Sequence, residues 1–139
     1  MTYTIQQIAD ALGLPAVDDT SILIAKLAEP ADAGPDDLAL ASTAGEIRDW
    51  VASGRVVGLM GLEGGHIIEE DLAALRNFHR LGVRYMTLTH SKGLRWADSA
   101  TDEERVGGLS PFGKEVVHEM NRLGMLVDLS HVSVNAMND

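Results

Sequence analysis

One glutamate and two histidines stand at matching places in this 139-residue sequence, each directly after an apolar run. The runs cover 56–62, ending at Glu63; 83–89, ending at His90; and 125–130, ending at His131. Imidazole nitrogen and carboxylate oxygen, with no cysteine in the chain, suit Zn²⁺ or a similar divalent ion at an open, catalytic kind of site. Such an ion lowers the pKa of bound water towards about 7, which makes a hydroxide nucleophile at neutral pH. A glutamate able to bridge two ions would permit a binuclear site with the ions about 3.5–4 Å apart. One Glu and one or two His are too few to hold two ions, so on spacing alone the site is incomplete.

Each candidate has a blander reading. Glu63 lies in Glu63-Gly64-Gly65-His66, where the glycines allow a sharp turn beside a carboxylate that is costly to bury unless paired or bound to a cation. A single histidine at a strand end is more often a satisfied structural residue; recurrence in register with Glu63 is what argues for His90 and His131. His66 could be a ligand, a partner of a ligand or a loop residue. His79 and His118 fall within amphipathic segments beside charged neighbours and read as surface residues. Asp98 and Asp128 could orient a ligand, though their spacing is weak evidence.

The elements that must position these residues alternate. Thr43 and Glu46 form a capping box ahead of Ile47, Trp50 and Val51, and Gly54 follows. A strand over 56–62 leads to a helix over about 70–81, with Leu72, Leu75, Phe78 and Leu81 as its apolar stripe and Gly82 at its end. After the strand to His90 comes a polar excursion over 91–109. Ser110-Pro111 then opens a third helix, with Val116, Val117, Met120 and Leu123 on its buried side and Gly124 closing it. The last strand runs to His131, and Ser133 caps a further helix. Successive parallel strands need such helical crossovers, and consecutive units pair as neighbours, so the expected strand order follows the chain. In parallel α/β folds the C-terminal strand ends converge on one rim, which places Glu63, His90 and His131 together. Three strands cannot close a barrel of eight.

Residues 1–37 differ in texture. Thr4 and Gln7 make a capping box for a short helix over 4–13, 21–27 reads as a strand, and 29–37 as an acidic loop broken by Pro30 and Pro35. This stretch carries seven acids and one base, and the whole chain has a net charge of −10, which disfavours nucleic acid as a partner. No apolar run approaches the roughly 20 residues that span a bilayer, and no basic stretch precedes an apolar core near the N-terminus. A cytoplasmic protein with no membrane partner is the expectation.

From about Leu38 onward the sequence resembles the membrane (renal) dipeptidase family. The resemblance rests on Gly61-Leu62-Glu63-Gly64-Gly65-His66, on 81–90, on Trp96-Ala97-Asp98, on Gly108-Leu109-Ser110-Pro111-Phe112-Gly113 and on 120–133. It implies a zinc-dependent (β/α)₈ barrel that hydrolyses dipeptides, with Glu63 bridging two zincs, His131 a ligand of one, and His90 touching substrate near the scissile carbonyl. The family's early His-x-Asp metal pair finds no counterpart upstream. Its further metal His, substrate-carboxylate Arg and acid/base Asp would lie beyond residue 139. The fold expectation is therefore α/β: a partial barrel of about three βα units over 38–139, preceded by a small α+β segment. Residues 1–37 resemble the N-terminal region of the lipid A enzyme UDP-3-O-acylglucosamine N-acyltransferase. The leading functional expectation is a truncated dipeptidase, inactive alone, that self-associates through open barrel edges. The alternatives are a non-catalytic fusion fragment or assembly module, and an accessory piece related to the acyltransferase.

Overall fold

The computed structural model describes Tyr3–Thr4, Gln7, Leu23–Ile24, Leu27–Ala28 and residues 37–139, and the chain divides into two compact units, Met1–Leu59 and Met60–Asp139. In the first unit, β1 (Tyr3–Thr4) pairs antiparallel with β2 (Leu23–Ile24). A parallel sheet follows in the order β3 (Leu27–Ala28), β4 (Leu38–Leu40), β5 (Val56–Gly58). The helix expected over 4–13 lies outside the described residues, apart from Thr4 in β1 and a helical Gln7. The acidic loop lies outside them too, except for a buried Asp37. Helix α1 (Ala44–Ala52) is the crossover between β4 and β5, and the capping box that starts it is formed: Glu46 N–H donates to Thr43 Oγ1, and Thr43 N–H to Glu46 Oε2.

The second unit is a three-stranded parallel sheet in chain order, β6 (Met60–Leu62), β7 (Val83–Thr87), β8 (Leu126–Asp128). Helix α2 (Leu72–Arg80) links β6 to β7, and α3 (Pro111–Leu123) leads into β8. A short α4 (Val134–Asn138), capped by Ser133, follows. Ser110 and Pro111 start α3 as the sequence predicts, and Gly124 ends it in the left-handed region at φ 76°. The apolar faces meet in one core that includes Ile68, Leu75, Val83, Met86, Leu88, Trp96, Val116 and Met120. No closed barrel is present among the described residues.

Three local expectations need correction. The single strand over 56–62 is two strands, broken at Leu59, which pair into different sheets. Gly58 and Gly61 weaken a continuous strand there, and each half keeps the partner its register allows. The second helix starts at Leu72 rather than at about Glu70, because Glu69 (φ 50°) and Glu70 (φ 59°) are both left-handed and Asp71 is the N-cap, its carboxylate accepting Ala73 N–H. Leu81 is 72% exposed, since it has passed the helix end and no longer shares the stripe.

The excursion over 91–109 looks polar but holds core. Trp96, Ala97, Asp98 and Ser99 are buried, with Trp96 edge-on to Phe112 at 6.2 Å. Asp98 organises the loop: its carboxylate accepts N–H bonds from Arg105 (2.8 Å), Val106 (3.2 Å) and Gly108 (2.8 Å). Burial would raise its pKa, yet the backbone donors of Gly108, Arg105 and Val106 outweigh it and hold the group below the usual carboxylate range. Glu119, also buried, forks between Arg122 and Arg76 and ties α3 to α2, which brings its pKa down to about 2.

Asp98→Asn turns two acceptor oxygens into one and points an amide at N–H donors. It is expected to lower the unfolding free energy by about 2–3 kcal/mol at neutral pH. A depressed folded pKa stabilises above the unfolded value of about 3.9 and is lost as pH falls through the folded one. Urea unfolding at pH 7 and near pH 3 checks this: the gap between wild type and variant should narrow in acid.

Candidate metal centre

Each element of the second sheet delivers one site residue just past its end. Gly61 pairs with Tyr85 and Leu62 with Met86, while Tyr85, Met86 and Thr87 pair with Leu126, Val127 and Asp128. Tyr85's ring lies directly over Gly61, where a Cβ would overlap it. Glu63 follows β6, and Gly64 (φ 108°) then reverses the chain so that Gly65 N–H reaches Leu88 O at 3.1 Å. Gly65 has no room for a side chain: an added Cβ would meet the Trp96 ring at 2.4 Å and Leu88 O at 2.6 Å.

The third strand stops earlier than the apolar run suggests. Asp128 Oδ1 accepts Ser130 N–H at 2.8 Å, a side-chain turn that ends β8 and leaves His131 in a loop at φ 68°. The Ser130 hydroxyl and N–H, outweighing burial, hold Asp128 below the usual carboxylate range, and His131 adds to the effect.

The three predicted residues come together. Glu63, His90 and His131 each offer a ligand atom, and these atoms lie within 4.8 Å of one another. His90 Nε2 is 3.5 Å from Glu63 Oε1, and the two imidazole rings stand 4.5 Å apart at 44°. His90 Nδ1 meets the Ser91 hydroxyl at 2.9 Å. The Glu63 side chain is 72% exposed and that of His90 43%, so both are open to a ligand. Two imidazoles and a carboxylate without thiolate fit a borderline divalent cation such as zinc. A depression of ≈ 340 Å³ opens beside Glu63 and His131, with Tyr85, Thr87 and Asp128 in its wall.

Of the other candidates, Asp128 lines the same depression as Glu63 and His131, and none joins the trio of donor atoms. His66 is exposed and lies outside the cluster; it lines a second depression with Glu69, Glu70 and Arg95. His118 is exposed as expected, but His79 is half-buried, and burial together with Arg84 and Arg122 lowers its pKa. Sequence reasoning missed Tyr85 and Thr87 as site-lining residues. The period-two alternation of β7 was the available signal, since both share the strand face that looks towards Glu63.

A model of the membrane dipeptidase family, peptidase family M19, matches residues 2–139. The chain belongs to this family. Dipeptidase tcpJ of Claviceps purpurea is 44% identical over 132 residues, 94% of this chain and 31% of that protein. Dipeptidase 3 of Rattus norvegicus is 52% identical over 80 residues, 54% of this chain and 16% of that protein. Among solved structures, a probable dipeptidase, PvdM, from Pseudomonas aeruginosa superposes with a TM-score of 0.69 at 27% identity, over 75% of this chain and 28% of that one. A metallopeptidase from Rhodobacter sphaeroides, solved with a phosphinate mimic of the dipeptide L-Ala-D-Ala, gives 0.61 at 35% identity, over 73% and 30%. The chain thus spans less than a third of the length of these relatives. The M19 family is metal-dependent, and Glu63, His90 and His131 form a possible metal-binding triad in this chain. Because the family match begins at residue 2, it takes in the opening segment as well, and nothing in the comparisons supports the acyltransferase resemblance. A capped helix and a Pro-Asp loop are too generic to carry it.

Gly65→Ala should destabilise the second unit by about 2 kcal/mol, because its Cβ meets a buried ring on one side and a backbone oxygen on the other. Chemical unfolding measures it; an unchanged midpoint would show that the Glu63 turn packs less closely than described.

Proposed function

We propose that this chain is a slice of a (β/α)₈ dipeptidase barrel carrying part of a zinc site, with Glu63 and His131 as metal ligands and His90 as the substrate contact. The supporting observation is the convergence of three donor atoms within 4.8 Å at the C-terminal ends of consecutive parallel strands. Family membership and a relative bound to a dipeptide mimic support dipeptides as the substrate class. A divalent ion, when bound at such a donor set, makes water acidic enough to supply a nucleophile near neutral pH.

The remaining work falls to the side chains. In the tautomer where the Ser91 hydroxyl donates to Nδ1, neutral His90 carries its proton on Nε2, from which it can donate to a substrate carbonyl oxygen. Glu63 Oε1 lies 3.5 Å from the same nitrogen, which sets the proposed ligand and the proposed substrate contact side by side. Two ligating groups, Glu63 and His131, are fewer than two ions require, so the proposal has these residues alone binding metal weakly and not turning over dipeptides. Leu126, Val134 and Met137 are 61%, 73% and 53% exposed, and the edge of β8 has no partner strand among the described residues. Self-association through this edge is part of the proposal.

Calorimetric titration of the chain with zinc tests the reading. Glu63→Ala and His131→Ala should each weaken binding at least about tenfold, a loss of about 1.4 kcal/mol. Affinity should fall with acidification, because imidazole must be neutral to ligate. Equal binding by wild type and both variants would reduce the metal to adventitious surface sites. In the same preparation, added zinc should not elicit dipeptide hydrolysis; measurable turnover would contradict the inactive reading.

A further inference from the structure

Both histidines of the site are gripped through their main chains. The Ser99 hydroxyl donates to His90 O at 2.6 Å. The Thr89 hydroxyl donates to His131 O at 3.0 Å, and Ala100 N–H donates to the same oxygen at 2.8 Å. Thr89 and Ser99 are 0% and 3% exposed. The grip is shared: Ser99 holds His90 and its neighbour Ala100 holds His131, while Thr89, the neighbour of His90, also holds His131. Each histidine is therefore placed by the segment that places the other.

His131 needs such a grip. At φ 68° it occupies the left-handed region, which a non-glycine residue adopts only where the surroundings impose it. A carbonyl held from two sides fixes the peptide plane after His131, and with it the direction of the Cα–Cβ bond. Ser99 is itself fixed, since it bridges to Val132 and follows Asp98, whose carbonyl accepts Ser133 N–H at 2.8 Å.

We propose that Thr89 and Ser99 are positioning residues that set the spacing of His90 and His131 for a divalent ion and a substrate carbonyl. This rests on the metal-site reading above. Neither hydroxyl is a ligand; each acts on a histidine backbone and leaves the imidazole nitrogens free. Partners that orient metal ligands typically carry 10–100-fold of affinity, while their removal need not unfold the protein. Thr89→Val is the informative variant: it keeps the shape, removes the donor and leaves His131 O with its Ala100 bond, so the backbone oxygen is not orphaned.

The test uses Co²⁺ as probe on the full chain, reading its visible absorption and its affinity by competition with a chromogenic chelator, with urea unfolding of the metal-free protein alongside. Thr89→Val should weaken Co²⁺ binding about tenfold and alter the spectrum, and Ser99→Ala should do the same by loosening the segment whose Ala100 N–H holds His131 O. Thr89→Ser, which restores the donor, should stay within about twofold of wild type. Variants that bind Co²⁺ with the wild-type affinity and spectrum while losing only stability would overturn the inference and leave the metal site standing. An equal loss in Thr89→Ser and Thr89→Val would overturn it too, since the hydroxyl would then be irrelevant. Wild-type protein that binds no Co²⁺ would overturn the metal-site reading itself, and this inference with it.

Discussion

The parallel ladder from β6 through β7 to β8 sets everything at the rim, because strand register decides both which face a side chain takes and how high it stands. Gly61, Tyr85 and Leu126 lie abreast, then Leu62, Met86 and Val127, with Thr87 beside Asp128. A slip of one residue in either pairing would turn that strand's site-facing residues to the opposite face. The core holds the register on the far side: Met86 is fully buried and Val83 nearly so, packed with residues of α2 and α3. On the near side Gly61 gives up its side chain to admit the Tyr85 ring. The site depends on hydrophobic packing it does not touch.

Above the ladder, regular structure stops and hydrogen bonds take over. No strand extends to Glu63, His90 or His131; each lies in a turn beyond its strand, in backbone that sheet pairing cannot fix. The loop over 91–109 supplies what is missing. Its buried Asp98 gathers the loop's own N–H groups, and the segment that follows grips both histidine carbonyls. A buried carboxylate satisfied by several backbone donors makes a rigid support, whereas a partly satisfied one would be a liability. Rigid support beneath exposed donor side chains is the arrangement that metal chemistry asks of a protein.

What could be read from the sequence was what is local. Ser110-Pro111, Gly124 and the Thr43/Glu46 pair mark helix ends by chemistry confined to one turn, and all three act as read. The alternation of strands and helices gave the parallel order, and the recurrence of a polar residue after each run gave the cluster. Features that depend on partners distant in sequence were not legible. The three-residue β4 has too little pattern to stand out, and the division of 56–62 depends on which strands lie alongside each half. The loop over 91–109 has a polar composition, yet Asp98 is buried because donors seven to ten residues away meet it. The Thr89 bond to His131 spans 42 residues and has no signature in spacing.

In the proposed site, strand ends deliver Glu63 and His131 to one divalent ion. Anomalous diffraction at the zinc absorption edge, from crystals of this chain grown with zinc, tests it most directly. A peak is expected between the Glu63 carboxylate and the His131 imidazole, within coordination distance of both, about 2.0–2.2 Å. A peak confined to other carboxylates, with Glu63 and His131 left bare, would contradict it.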